Sequence, residues 1–235
     1  MKTNSKKKRI HDNFYLKEKR ILKDSQKFLI KNLNLKKFNG SLLDVGCATG
    51  VFLDYVSKNF KNINTFGVDV NTKLIKKAKK FDKKTNFFCL DINSKKNKFF
   101  SKKFDIIILD GVHPIFDELN IVVKNLVKMS KKNTRIILYG SVNENDYDVF
   151  VAVRNIRNNT LESGWNRFSI KTIERKFLKY GLRIKKKIKF QISKNILRNF
   201  KDPRRTYTVS LNNRKKLTIN GLELISTPYY LEFGR

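Results

Sequence analysis

The chain has 235 residues, of which 40% are hydrophobic and 12% aromatic. That content excludes a disordered chain, and the length suits one α/β domain with short additions. The formal net charge is +33, from 53 Lys and Arg against 20 Asp and Glu. Such a balance attracts polyanions, but an A+T-rich genome yields the same Lys-rich composition, so the charge favours a nucleic-acid substrate only weakly.

Cysteine spacing and hydropathy limit the class of protein further. The two cysteines, Cys47 and Cys89, fit a reducing compartment and have no zinc-ligand spacing, so we expect no metal site. The basic N-terminus has no apolar run behind it, and no stretch approaches the roughly 20 apolar residues of a membrane span. We therefore expect a soluble, cytoplasmic protein without a membrane span.

The hydrophobic pattern predicts alternating helices and strands. Residues 1–38 are expected to form a basic tail and one or two amphipathic helices, because apolar positions recur at helical spacing between Phe14 and Leu35. Strands are predicted over 41–45, 65–70, 86–90, 104–109 and 135–139, with helices over 51–59, 73–80 and 119–128. Strands separated by helix-length segments predict a parallel sheet.

The last third of the chain is expected to extend this sheet. A further helix is predicted over 169–179, followed by strands over 182–190 and 206–211 and by β pieces over 216–225 and 229–233. We divide the chain into an N-terminal segment of residues 1–38, a central domain of residues 39–200 and a C-terminal β segment of residues 201–235. The C-terminal segment is expected to complete or extend the sheet.

Acidic residues stand at the ends of four successive predicted strands. They are Asp44, Asp69, Asp91 and Asp110. Open α/β sheets bind ligands at the carboxyl ends of their strands, so these carboxylates are expected to meet at one ligand site. The loop from Gly46 to Gly50 has small residues that let the backbone approach a ligand. Asp69 follows this loop by about 20 residues, the distance at which an acid holds ribose hydroxyls.

The charge of this edge discriminates between two adenosine cofactors. A dinucleotide would place its pyrophosphate beside the loop, but the third glycine of G-x-G-x-x-G is missing, with Phe52 near that position. Asp44 would also repel the phosphates. The reactive end of S-adenosylmethionine carries a sulfonium and an ammonium, which carboxylates attract. The acid-rich edge therefore favours S-adenosylmethionine as the cofactor.

Residues 42–110 resemble the class I S-adenosylmethionine-dependent methyltransferases, and Leu43-Asp44-Val45-Gly46-Cys47-Ala48-Thr49-Gly50 is similar to their glycine-rich first motif. The resemblance implies an α/β, Rossmann-like fold: a mostly parallel seven-stranded sheet flanked by helices, here with N-terminal helices and a small C-terminal β extension. One departure is Ala48, where many members have glycine, and we expect it to shift the loop only modestly.

The same resemblance implies roles for individual residues. The glycine-rich loop would contact the methionine part of the donor, Asp69 the ribose, and Asp91 with Ile92 the adenine, while Asp110 would form the floor of the methyl-donor pocket. The implied cofactor-binding residues are Asp44, Gly46, Cys47, Ala48, Gly50, Asp69, Val70, Asp91, Ile92 and Asp110.

A catalytic base is needed only if the acceptor is a weakly acidic hydroxyl or a protonated amine. His113, three residues after Asp110, is the candidate, because the ordinary pKa of histidine near 6.5 suits proton transfer. The alternative is that His113 only packs or caps the loop beside Pro114.

The acceptor pocket is expected to be shaped by residues 140–168, which follow a late strand. The substrate-binding candidates are Tyr147, Arg154 and Trp165. Alternatives remain open for each region: a solvated helix with surface arginines for Arg154, and a core position for Trp165. For Phe14 and Tyr15 the alternatives are a lid that folds over the cofactor and packing against the sheet.

Three functions are compatible with this pattern. The first is methylation of a small-molecule acceptor, such as a sugar or another metabolite hydroxyl, because no nucleic-acid-binding module is visible. The second is methylation of RNA or DNA, which the charge favours, although Asp110-Gly111-Val112-His113 differs from the Asn/Asp-Pro-Pro-aromatic motif of base amino-group enzymes. The third is an inactive module that binds the cofactor or a partner. No pattern indicates the oligomeric state.

Overall fold

The computed structural model describes residues 8–9, 13–192, 195–200, 202, 204–211 and 216–235. The strands are β1 (Lys8–Arg9), β2 (Gly40–Val45), β3 (Ile63–Asp69), β4 (Asn86–Cys89), β5 (Phe104–Asp110), β6 (Ser130–Ser141), β7 (Ala152–Asn155), β8 (Thr160–Ser163), β9 (Arg183–Lys189), β10 (Thr206–Ser210), β11 (Lys216–Asn220) and β12 (Pro228–Gly234). The α-helices are α1 (Asp24–Leu33), α2 (Val51–Asn59), α3 (Thr72–Phe81), α4 (Asn120–Lys128) and α5 (Ile170–Leu178). None of the described helices has the length and apolar character to cross a bilayer.

Seven strands form one sheet in the order β4-β3-β2-β5-β6-β12-β9. Neighbouring strands from β4 to β6 are parallel, whereas β12 runs antiparallel to both β6 and β9. The predicted Rossmann-like fold with a mostly parallel, seven-stranded sheet is confirmed. The chain winds outward from β2 to β4 and returns beside β2 with β5, so the loops after β2 and β5 diverge and leave a crevice at the C-terminal edge.

Both faces of the sheet are covered by helices. Because side chains alternate along a strand, β5 places Ile107 and Leu109 on one face and Ile106 and Ile108 on the other. The first face packs against α4 and α5, and the second packs against α1, α2 and α3. This double burial explains the continuous apolar run from which β5 was predicted.

The strand β12 lies inside the sheet, between β6 and β9. Its Tyr230 and Phe233 are fully buried, and the ring of Phe233 stacks on Phe177 of α5 at 4.0 Å between centroids. Arg135 of β6 donates Nε and Nη2 to the Glu232 carboxylate at 2.8 and 2.9 Å. The strands β10 and β11 instead form a separate antiparallel pair.

Two regions differ from the predicted helices. The helix expected to begin near Phe14 begins only at Asp24, after a 3₁₀ turn at Asn13–Leu16. The apolar spacing there misled the prediction because Ile21, one of its members, is 66% exposed. The solvated helix considered as an alternative around Arg154 is also wrong, since β7 and β8 form an antiparallel hairpin in which Arg154 pairs with Leu161.

Candidate active site

A cavity of about 1250 Å³ opens at the C-terminal edge of the parallel strands. Its floor comes from the loops that follow β2, β3 and β5, where the sheet order reverses. The predicted cofactor-binding residues that line it are Asp44, Gly46, Cys47, Ala48, Asp69, Val70, Asp91, Ile92 and Asp110. Gly50 lies behind the lining, against Phe87, where it turns the chain into α2 with φ +71°. The topology therefore brings the strand-end aspartates to one cavity, as expected of a parallel sheet.

The loop after β2 is held in a shape that requires glycine at its start. The amides of Gly46 and Cys47 both donate to the Val68 carbonyl, at 2.7 and 3.0 Å. Gly46 has φ +80°, and a Cβ there would lie 2.3 Å from Cγ2 of Val112. Only glycine combines this backbone conformation with the close approach of the loop after β5.

Asp69 fixes the rest of the same loop. Its Oδ2 accepts a hydrogen bond from the Ala48 amide at 3.0 Å, and its Oδ1 accepts one from the Asn71 amide at 2.8 Å. Ala48 adopts φ +49°, a left-handed conformation that glycine adopts at lower cost. The carboxylate of Asp69 is thus oriented by two amides at the end of β3, with the cavity beside it.

The floor of the cavity concentrates negative charge in a buried place. Asp44 is 5% exposed, and no group among the described residues bonds to its Oδ1. Burial, with added repulsion from Asp110 and Asp69, raises the pKa of Asp44 well above its ordinary value. Burial also raises the pKa of Asp110 to about 6, although the positive charge of Lys23 opposes that shift. The orphaned oxygen and the crowded carboxylates fit a ligand that carries positive charge, as the sulfonium and ammonium of S-adenosylmethionine do.

His113 does not lie where a base would reach the cavity. Its side chain is fully buried beneath Gly140, and Nε2 lies 3.0 Å from the Ser141 carbonyl. Burial lowers the pKa of His113 to about 4. The geometry corrects the prediction of a catalytic His113: the residue follows Asp110 closely in sequence, but the turn after β5 directs its ring under β6. It supports the packing alternative.

The acceptor candidates separate into two groups. Trp165 lines the cavity. Tyr147 is 74% exposed and Arg154 bonds through Nη1 to Asn159 at 2.9 Å on the β7–β8 hairpin, and neither lines the cavity. Their assignment to the pocket is therefore corrected, because Tyr147, between β6 and β7, and Arg154, on the hairpin, are both exposed to solvent.

Two segments far apart in sequence cover the cavity, and of their residues only Phe14 and Tyr15 were considered from the sequence. The covering N-terminal segment, residues 14–23, lies over the loop after β2 and includes Phe14, Tyr15 and Lys23 in the cavity lining. Lys77 of α3 donates Nζ to the Leu16 carbonyl at 2.6 Å, which fastens this segment to the body of the domain. Of the two positions considered for Phe14 and Tyr15, the structure shows the one at the cavity.

The second cover comes from the C-terminal part of the chain. Residues 195–199 and 204–206 contribute to the lining, among them Asn195, Arg204 and Arg205. The guanidinium of Arg205 lies 3.9 Å from the centroid of the Phe14 ring, so the two covers meet. No local sequence pattern indicates a contact between segments so far apart, which is why the C-terminal cover was missed and the position of Phe14 and Tyr15 stayed open. Within the described ranges, no group of three His, Cys, Asp or Glu side chains could hold a metal ion.

The sequence model of the FtsJ-like methyltransferase family matches residues 16–170, more than half of the chain. The chain belongs to the FtsJ-like methyltransferase family. Among curated proteins, "Putative methyltransferase 235L" of Invertebrate iridescent virus 6 is 24% identical over 109 residues. That alignment covers 46% of this methyltransferase and 40% of the viral protein, so the chain matches less than half of that relative's length.

Two solved structures share the fold of this methyltransferase. The PH0226 protein of Pyrococcus horikoshii OT3 superposes with a TM-score of 0.60 and 17% identity, over 95% of this chain and 99% of the other. The O-methyltransferase of a trans-AT PKS multienzyme of Brevibacillus brevis, in complex with S-adenosyl-L-homocysteine, gives a TM-score of 0.55 and 12% identity. That match covers 70% of this chain and 53% of the other. Membership of this family implies S-adenosylmethionine as the methyl donor.

Proposed function

We propose that this methyltransferase acts on a small-molecule acceptor, a sugar or another metabolite, and methylates it at a hydroxyl oxygen. The observation that carries the proposal is the covered cavity of about 1250 Å³. A pocket for one drug-sized ligand measures roughly 300–1,000 Å³, so the cavity has room for the donor and a compact acceptor together. The two covers meet at Arg205 and Phe14 beside the cavity, which favours an acceptor small enough to enter beneath them.

In this proposal the chain's own residues hold and align the two reactants. S-adenosylmethionine, when bound, supplies an activated methyl group for in-line displacement. Asp69 holds the ribose hydroxyls, Asp91 and Ile92 the adenine, and the loop from Gly46 to Ala48 the methionine part. Asp44 and Asp110 place negative charge beside the positive end of the donor. Alignment and the exclusion of water then provide most of the acceleration.

Asp110 replaces His113 as the proposed proton acceptor. It lines the cavity, and burial raises its pKa to about 6, close to the value at which a carboxylate is both ionised and basic near neutral pH. Turnover is expected to rise with pH through about 6, because only the ionised form of Asp110 accepts the proton of the acceptor hydroxyl. Asp110→Asn is expected to slow turnover by about 10²-fold or more and to remove this step from the pH profile. An unchanged profile in the variant would assign the proton to another group.

The acceptor class is tested by transfer of a tritiated methyl group from the donor to fractions of cell extract. The fractions are RNA, protein, glycans and low-molecular-weight metabolites. We expect label in the metabolite or glycan fraction, and Asp110→Asn serves as the inactive control. Label that enters only RNA, and that ribonuclease releases, would replace this proposal with the next one.

A nucleic-acid substrate is the second candidate, and the net charge of +33 favours it. Several lysines of β9 and α3 are exposed, but they lie on separate surfaces of the domain. This candidate predicts tight RNA binding that weakens steeply with salt concentration.

A further inference from the structure

The extended segment 164–168 forms one wall of the cavity, and buried contacts fix its position. Asn166 is 1% exposed, and its Nδ2 donates to the Phe116 carbonyl and to Oδ1 of Asp117, both at 2.8 Å. Its Oδ1 accepts a hydrogen bond from the Val151 amide, also at 2.8 Å. The wall is therefore built rigidly, against both the loop after β5 and the strand that leads into the β7–β8 hairpin.

Side chains on this wall alternate between the interior and the cavity. Asn166 and Phe168 are buried, although Asn166 also reaches the cavity lining, whereas Trp165 and Arg167 are half-buried and line the cavity. Such alternation is the normal consequence of an extended backbone. The amide and carbonyl of Arg167 both bond to Val149, each at 2.8 Å, so the backbone that carries the guanidinium is held on both sides.

The guanidinium of Arg167 lacks a carboxylate partner among the residues that the structure describes. The two carboxylates that contact neighbouring parts of the wall are engaged elsewhere: Asp117 accepts from Asn166, and Asp148 accepts from the Ser169 amide at 2.7 Å. Burial lowers the pKa of Arg167, as expected for a cation withdrawn from water without compensation.

The arginines of the C-terminal cover pair with a carboxylate, which Arg167 does not do among the described residues. Arg204 and Arg205 share the carboxylate of Asp202, at 2.9 and 3.0 Å. A half-buried guanidinium that faces a cavity without an anion is costly, and a ligand that supplies the anion relieves the cost. The cavity is thus negative at its floor, around Asp44, and positive at the wall that carries Arg167.

We propose that Arg167 and Trp165 form the acceptor subsite of this methyltransferase, where Arg167 binds a phosphate or carboxylate group of a small acceptor and Trp165 packs against the body of that acceptor. This inference rests on the proposed function and narrows its substrate class to anionic small molecules. An arginine fork binds either anion through two parallel hydrogen bonds, and an adjacent indole ring adds apolar contact at little entropic cost.

The position of the subsite distinguishes it from the donor site. The donor is assigned to the carboxylate-lined floor formed after β2, β3 and β5, whereas Arg167 belongs to the separate wall after β8. A phosphate of RNA has the same chemistry as the phosphate of a metabolite. The half-buried position of Arg167 inside a covered cavity favours the metabolite, and the experiment separates the two.

The experiment measures, by calorimetry on the full chain saturated with S-adenosyl-L-homocysteine, the binding of inorganic phosphate, acetate and a 12-nucleotide RNA. Arg167→Gln is compared with Arg183→Gln, the same change at an exposed position at the start of β9. We expect saturable binding of phosphate or acetate that weakens at least about tenfold in Arg167→Gln and is unchanged in Arg183→Gln. Arg167→Lys, which keeps the charge without the fork, is expected to lose less.

Three other binding results would each overturn the inference in a distinct way. Equal anion affinity in Arg167→Gln and the wild type removes the subsite. A parallel loss of affinity for S-adenosyl-L-homocysteine in Arg167→Gln shows that Arg167 holds the donor's carboxylate instead. RNA that binds more tightly than phosphate and depends on Arg167 makes the subsite a nucleic-acid contact. Failure of the methyl-transfer assay on extract, with anion binding intact, counts against the proposed function and leaves the anion subsite standing.

Discussion

The properties of single residues in this site depend more on their surroundings than on their residue type. Asp69 and Asp44 are both strand-end aspartates, yet two amides hold Asp69, whereas Asp44 is buried with an unpartnered oxygen and burial raises its pKa. Complete burial likewise separates the His113 ring from the cavity. The strand-end positions of the acids could be read from the sequence, because parallel strands deliver their ends to one edge. The direction of the His113 ring could not, because it depends on a turn three residues long.

Asp69→Ala is expected to weaken binding of S-adenosyl-L-homocysteine by about 1.5–3 kcal/mol, the range of hydrogen bonds to a charged group. The substitution removes the proposed ribose contact and also frees the amides of Ala48 and Asn71, which Asp69 now holds. Calorimetry measures the change. The control is Asp146→Ala, a surface aspartate paired with Lys171, which should bind normally. An unaltered dissociation constant in Asp69→Ala would mean that the ribose is held elsewhere.

His113 is expected to affect stability in acid. Its pKa is lowered to about 4 in the folded state, whereas an unfolded chain protonates histidine near 6.5. The unfolded state therefore binds the proton first, and the free energy of unfolding falls as the pH drops from about 6.5 to about 4. The loss is at most about 3.4 kcal/mol. Urea unfolding at pH 7 and pH 4.5 should show a smaller loss in His113→Gln than in the wild type. Equal losses would show that His113 does not cause the acid sensitivity.

At the scale of elements, the sheet and its helices were predictable, and the covers of the cavity were not. Burial of β5 on both faces and of one side of α2 requires apolar residues at regular positions, and these positions can be recognised in the sequence. The covering N-terminal segment is held by single long-range bonds, such as Lys77 to the Leu16 carbonyl. The β7–β8 hairpin, with strands of 4 residues each, was also missed.

Arg20 fastens the covering N-terminal segment over the glycine-rich loop. Its Nη1 donates to the Thr49 carbonyl, and its guanidinium lies 4.4 Å from the centroid of the Phe81 ring. Arg20→Ala is expected to release this cover and to weaken binding of S-adenosyl-L-homocysteine by roughly tenfold, mainly through faster dissociation. Stopped-flow or surface-based kinetics would measure the rates. Lys19→Ala, at the exposed neighbouring position, should behave as the wild type; equal dissociation rates in all three proteins would mean that the cover does not retain the donor.

For the whole molecule, the central question is whether the net charge of +33 serves the reaction. The cavity has its own pattern of charge, with carboxylates on the floor and Arg167 on one wall, and this pattern is independent of the Lys-rich exterior. If the acceptor is a small molecule held inside, the surface charge is incidental to catalysis. If the substrate is RNA, binding must release many counterions.

Raising the salt concentration is expected to separate these two cases. Nonspecific association with RNA should fall about 10³-fold or more between 50 and 200 mM salt, because each neutralised phosphate releases counterions. Methylation of the small acceptor should change much less over the same range, because the buried charges of the cavity are poorly screened. Fluorescence anisotropy with labelled RNA and the methyl-transfer assay measure the two quantities. Turnover that declines in step with RNA binding would contradict a small-molecule acceptor.

The place of β12 in the sheet has a consequence for biosynthesis. The ribosome completes β9 before it makes β12, yet β12 is the strand that joins β9 to β6. Until β12 has been synthesised, β9 has no strand to pair with in the sheet. Phe177 of α5 also lacks the ring of Phe233 on which it stacks. The donor site, built from β2 to β5, can therefore form during translation. The part of the sheet that contains β9 can form only after β12 has been synthesised.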